Sequence, residues 1–163
     1  MDKMVKDTID NLDSSDDKIR LTALETILKI TDDKVDWVYD VWDDLIAKLD
    51  HENSYQRTIA ILVLCNLAKS DSENRIEGSL QGILSHTRDD KFVTSRKCIQ
   101  NVWKLAVANT HTRKIVVDHL EKQFTDCTEG KHYNLICQDI IYSLRQMLIT
   151  METPDCWHWQ MNC

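Results

Sequence analysis

Three segments of this chain are copies of one another. IRLTALETILKI from Ile19, QRTIAILVLCNL from Gln56 and SRKCIQNVWKLA from Ser95 align without a gap, and each carries an arginine at its second position: Arg20, Arg57 and Arg96. The arginines lie 37 and 39 residues apart, and a weaker fourth copy, ICQDIIYSLRQML, begins at Ile136. Self-similarity at this period marks an array of one supersecondary unit, in which each copy buries its apolar face only by stacking on a neighbour.

Within each copy the apolar residues recur at helical spacing: Leu24, Ile27 and Leu28, then Ile61, Leu64 and Leu67, then Ile99, Val102 and Trp103. A second helical stretch follows each, over residues 35–49, 73–85 and 113–124, set off by polar breaks such as SDSEN, TRDDK and THT. An opening helix is expected over residues 4–12. Only three glycines and one proline occur in 163 residues, too few to punctuate a sandwich or barrel of many hairpins. The expectation is an all-α chain of alternating first and second helices.

Polar residues stand where the first helices begin: Ser14, Ser15 and Asp16, then Asn53 and Ser54, then Asp89 and Asp90. Such residues accept hydrogen bonds from the free N–H groups of a first turn and favour the positive end of its dipole. With the arginine and the alanine–leucine pattern of DDKIRLTALETIL and NSYQRTIAILVLCNLA, the chain resembles the HEAT repeat family over residues 13–150. It lacks the proline often found at the start of that family's first helix. The resemblance implies a right-handed α-α superhelix of three to four helix pairs over residues 1–150, with second helices lining a concave groove. It also implies that Arg20, Arg57 and Arg96 join a ladder of polar contacts between neighbouring repeats, and that the chain binds a partner without catalysis. Residues 151–163 form a separate tail.

The formal net charge of −7 is uneven. Residues 1–55 carry seven Lys/Arg against fifteen Asp/Glu, residues 56–122 eleven against seven, and residues 123–163 two against five. Such polarity can orient a charged partner, although a solvated charged face needs none. No stretch approaches the roughly 20 apolar residues that cross a bilayer, and the polar, acidic start is unlike a signal peptide. Cys65 and Cys98 sit in apolar helical stretches, where a free thiol packs as a small hydrophobe, so a reducing, cytoplasmic setting is expected.

If the second helices line a groove, function belongs on their polar faces. On a helical wheel, Val35, Val38, Val41, Trp42, Leu45, Ile46 and Leu49 form the buried stripe of the first, leaving Trp37, Asp40, Asp43, Asp44 and Lys48 outward. An exposed Trp37 beside Asp40 and Asp44 would anchor a docking partner, because a tryptophan buries much area at little entropic cost. The competing reading packs Trp37 against a neighbouring helix or the N-terminal cap. The second helix offers Arg75 and Gln81 with Gly78 and Ser85, and the third Arg113, Lys114 and Lys122 with Asp118 and Glu121. A protein or peptide segment lying along this face would meet an acidic end and a basic end. Self-association through Trp37 or the tail is a further way to occupy such surfaces.

Nucleic acid is the rival partner, since Arg75, Arg88, Lys91, Arg96, Lys97, Lys104, Arg113, Lys114 and Lys122 share the basic middle. A sequence pI of about 5.3 argues against it. Some helical-repeat proteins resembling this one are DNA glycosylases for alkylated bases, and Trp37, Asp40 and Asp44 would have to form their cleft. The chain has no Gly-rich phosphate loop, nucleophile elbow or paired-histidine zinc motif, and no cofactor is expected. His51, His86, His111, His119 and His132 fall near helix ends or loops. In the tail, Trp157 and Trp159 are expected to cap the last repeat; the alternatives are a soft-metal site of Cys156, His158 and Cys163 with Cys127 or Cys137 as a fourth ligand, a disulfide, or a partner-docking tail.

Overall fold

The computed structural model describes residues 1–126 and 132–152, and every regular element among them is helical. Helix α1 (Lys3–Asp10) opens on Asp2, whose carboxylate accepts from the Val5 N–H at 2.8 Å, and runs into a 3-10 turn at Asn11–Asp13. Helix α2 (Asp17–Ile30) starts where Asp16 accepts from the N–H groups of Lys18 and Ile19. A 3-10 turn at Val38–Asp40 precedes α3 (Trp42–Leu49). Helix α4 (Ser54–Leu67) is capped by Asn53. Then come α5 (Arg75–Ser85), α6 (Phe92–Asn101), α7 (Trp103–Ala108), α8 (Thr110–Asp126) and α9 (Tyr133–Glu152).

The expected alternation of helices is present, with two differences. The stretch expected to be one helix over residues 35–49 is helical only from Trp42, because residues 32–41 are held by bonds to a distant segment. The Val35 N–H donates to Ser70 Oγ at 3.0 Å, and the Tyr39 hydroxyl donates to Asp71 Oδ1 at 2.8 Å while accepting from the Glu73 N–H at 2.7 Å. The third first-helix is broken at Val102 into α6 and α7.

Helices α2, α4, α6 and α9 pack in succession, each on the next, and so do α3, α5 and α8; α4 also meets α3, and α8 meets α7 and α9. Helix α4 lies at the centre of this packing. Every residue from Ile59 to Leu67 is buried, so it has no solvent-facing side over that length, as a helix enclosed by neighbours requires. The rest of the core comes from one stripe per helix, including Ile27, Leu45, Ile83, Ile99, Leu120 and Ile140.

The repeated arginines explain their own recurrence. Arg20 and Arg57 each donate Nη1 back to the loop before their helix, Arg20 to the Ser14 carbonyl at 2.7 Å and Arg57 to those of His51 and Glu52 at 2.9 and 3.0 Å. Arg57 then reaches into the next unit, donating to both oxygens of Asp89 at 2.8 and 2.7 Å and to Asp90 at 2.7 Å. Arg96 does the same with Asp139, at 2.5 and 3.0 Å. Arg20 pairs with Asp17 in its own helix, and its guanidinium lies 5.3 Å from the ring centroid of Tyr55 in α4. Asp89 is therefore not the helix cap that its position suggests. It accepts the Lys91 N–H at 2.9 Å, but α6 begins after Lys91 with no side-chain cap.

Side chains also close the open ends of neighbouring helices. Asn66 donates to the Leu28 carbonyl at 3.1 Å and Lys69 to that of Asp32 at 2.7 Å, satisfying acceptors at and beyond the C-terminus of α2. Gln56 and Gln123 donate to the carbonyls of Leu12 and Thr87, fixing the 3-10 turns at Asn11–Asp13 and His86–Arg88 from a distance.

Candidate functional site

A cavity of about 420 Å³ opens between the N-terminal turn and α3. Its floor is apolar: Ile27 from α2, Val63 from α4, and Trp37 with Val41 and Leu45. One wall is the end of α1 and the turn after it, contributing Ile9, Asp10, Leu12 and Asp13. The other is α3, where one-turn spacing brings Asp44 and Lys48 to the same side, with Ala47 between and His51 just beyond the helix.

Local sequence decides this placement. Because residues 32–41 are tied down at Val35 and Tyr39, the chain turns in a 3-10 step, the Asp40 N–H donating to the Trp37 carbonyl at 3.0 Å. Trp37 is thereby directed inward and is only 6% exposed. The expectation of an outward Trp37 anchor is thus corrected: the wheel assumed a helix that does not begin until Trp42, and the indole packs in the core beneath the N-terminal turn. Asp40, expected beside it, lies outside the cavity with its carboxylate 3.5 Å from the Met1 amino group.

The rim carries three carboxylates. Lys48 Nζ donates to Asp13 Oδ1 at 2.6 Å, joining the two walls through a half-buried lysine and an exposed carboxylate. Among the described residues, no cation lies within ion-pair distance of Asp10 or Asp44, and both are exposed. His51 Nδ1 accepts the Asn53 N–H at 2.9 Å, so its neutral ring carries the proton on Nε2. An apolar hollow with an acidic rim can hold an aliphatic group that ends in a cation, while three carboxylates against one ammonium disfavour an anion there.

The remaining expected partner residues do not converge there. Arg75 donates to Glu73 at 2.9 Å and lies 4.4 Å from the Tyr39 ring centroid. Gln81 is exposed on α5. Arg113 is half-buried and donates to the Ala106 carbonyl at 3.1 Å, a structural tie between α8 and α7. Lys114 pairs with Asp118 at 2.6 Å along α8, and Lys122 is exposed. Of the eight, Trp37 and Asp44 alone line the cavity, whereas Asp10, Asp13, Lys48 and His51 were not among the expectations as a group. Their only sequence signal is the acidity of the first 55 residues, since Asp13 and Lys48 are 35 positions apart.

Titratable groups elsewhere serve the packing. Burial pushes the Asp89 carboxyl up, but hydrogen bonds from Arg57, the Lys91 N–H and His86 outweigh it and hold the group well below the usual carboxylate range. Burial lowers Lys104, whose ammonium donates to Asn66 Oδ1 at 2.6 Å, against the pull of Cys65 and Asp32. Burial pushes the Cys65 thiol up to about 12 despite Lys104, and Cys98 rises for the same reason. Neither thiol is a nucleophile in that state. Among the described residues no three His, Cys, Asp or Glu side chains cluster as a metal site, and no helix is long and apolar enough to cross a membrane. Cys127, Cys156, Trp157, His158, Trp159 and Cys163 lie outside the described residues. Compared with models of known protein families and with characterised proteins, the chain matches none.

Proposed function

We propose that the chain is a non-catalytic HEAT-like scaffold, an α-α superhelix of three to four helix pairs that holds a protein or peptide segment along its second helices. The observation that carries this reading is the succession of α3 on α5 and α5 on α8, beside the parallel succession of α2, α4, α6 and α9. Side-by-side helices of one class present a continuous surface, and Arg57–Asp89 and Arg96–Asp139 fix the spacing of the copies. Charge changes along that surface, from exposed Asp43 and Asp44 on α3 to Lys114 and Lys122 on α8. A partner of matching polarity would be read by position, and its acidic-end anchor would be the cavity rather than an exposed tryptophan.

Nucleic acid gains no support. Several cations of the middle segment are matched internally: Arg57 to Asp89 and Asp90, Arg96 to Asp139, Arg88 to Asp126, Arg75 to Glu73 and Lys114 to Asp118. Phosphates would compete with these carboxylates, and the cavity itself is rimmed by negative charge.

Selection of a displayed random-peptide library on the folded chain tests the proposal. Enriched peptides should carry basic residues for the α3 end and lose binding to an Asp43→Lys, Asp44→Lys variant, with Lys114→Glu, Lys122→Glu altering the other end. Enrichment of no peptide, or of peptides indifferent to all four changes, would sink it.

A further inference from the structure

We propose that the cavity between the N-terminal turn and α3 receives one lysine or arginine side chain of the partner segment, its aliphatic stem on the apolar floor and its cation between Asp10 and Asp44. This rests on the docking reading above and assigns the chemistry of its acidic end.

Size sets the first limit. At about 420 Å³ the hollow falls in the range of pockets that enclose a small ligand or a long side chain, and it is too small for a helix of about 10–12 Å diameter. What enters is a side chain. The floor of Trp37, Val41 and Leu45, each with a small part of its surface open to the cavity, offers only hydrocarbon and indole, so the entering stem must be apolar. The rim selects its end group. Three carboxylates stand there against the single ammonium of Lys48, which is bound to Asp13. Asp10 and Asp44 have no cation among the described residues, and a carboxylate-ended side chain would be repelled. A long basic side chain is amphipathic in the required sense, burying its methylenes while its charge stays at the wet rim.

The Lys48–Asp13 pair is an internal example of the contact. An ammonium on a four-carbon stem already reaches a carboxylate across this same mouth at 2.6 Å. A second cation from outside would halve the excess negative charge that Asp10 and Asp44 leave on the rim. The flanking chain of the partner would then continue onto α3 past Asp43, where α5 begins the rest of the row.

The test titrates the ¹⁵N-labelled full chain with capped five-residue peptides whose central residue is lysine, arginine, norleucine or glutamate, and with spermidine. Trp37→Phe identifies the Trp37 indole N–H resonance. Lysine and arginine peptides should shift that resonance and the amides of Asp44, Lys48 and Asp13 in a saturable, salt-sensitive way. Norleucine, an uncharged near-isostere, and glutamate should not. Asp10→Asn with Asp44→Asn should weaken the basic peptides about tenfold with unchanged circular dichroism and Tm, since both side chains are exposed and unpaired among the described residues.

Equal shifts from norleucine, no shift at Trp37, or tighter binding of spermidine than of either peptide would overturn the assignment. Library-selected peptides that bind the double Asn variant normally would also overturn it while leaving the scaffold reading intact. Binding of the basic probes here with no library peptide enriched would have the opposite meaning.

Discussion

Two polar residues carry more of the stability than their exposure suggests. The side chains of Arg57 and Asp89 are 11% and 3% exposed, and Asp89 also accepts from His86 Nδ1 at 2.8 Å. Removing one member of an enclosed pair strands the other, which costs about 3–5 kcal/mol. Asp89→Ala should therefore cost about 3 kcal/mol, the low end, because Arg57 keeps Asp90 and two carbonyls. Urea unfolding would read this as a lower midpoint at unchanged slope; a loss below 1 kcal/mol would mean that the pair behaves as a surface contact. His119 makes a pH prediction of its own. Its ring bonds Thr87 Oγ1 at 2.8 Å, and burial, then Arg88 and Lys122, lower its pKa below the ordinary 6.5. The unfolded chain takes up the proton first, so this contribution is complete above about pH 6.5 and fades as pH falls from there toward the lowered value. Asp89, also lowered, acts in a separate window: its contribution holds above about pH 4 and is lost only below it. His119→Gln should flatten the stability profile just below about pH 6.5 and leave the more acidic limb. A variant profile that parallels the wild type through that window would show that His119 titrates alike in both states.

At the scale of elements, the segment before α3 is where tertiary bonds override a helical pattern. The Tyr39 hydroxyl is the centre of that override, joining Asp71 and the Glu73 N–H while its ring sits against Trp42 and beneath Arg75. Tyr39→Phe retains the ring contacts and removes two hydrogen bonds, so it should cost about 1–2 kcal/mol. Hydrogen exchange should quicken at Glu73 and Ile76, where Asp71 holds the Ile76 N–H at 2.8 Å; unchanged exchange there would show that the hydroxyl anchors nothing. The same segment marks the boundary of what sequence makes legible. The four copies and the first and second helices were readable because a 3.6-residue apolar stripe is a local property. The start of α3 was not, because its determinants, Ser70 and Asp71, lie 35 and 32 residues downstream of the groups they bind. Trp37 followed the same fate, and with it the candidate site. Asp44 was placed correctly as exposed, yet nothing in its neighbourhood announces Asp10 or Asp13 across the cavity. The repeated arginines were legible as a register, while Asp89 looked like a cap because its position, not its partner, is what a sequence displays.

For the whole molecule, the open issue is whether stability is shared evenly or passed between neighbours. The contacts argue for the second. Arg96 binds Asp139, Gln100 adds a bond to the same carboxylate at 2.7 Å, and Asp139 is buried at the α6–α9 boundary. Helix α2, at the other end, packs against α4 and α1 instead. In an array whose units meet only their neighbours, damage at one boundary lowers the stability of the units beside it first. Asp139→Ala should thus speed native-state hydrogen exchange across α9 by a larger factor than in α6, and leave α2 near its original rates. Helix α4, enclosed from Ile59 to Leu67, should remain the slowest in both proteins. Uniform acceleration from α2 to α9 would identify a single cooperative core, and the HEAT-like reading would lose its main energetic consequence. A gradient falling from α9 toward α2 would favour repeat-by-repeat coupling, and with it a scaffold whose two ends can respond separately to a partner laid along the row.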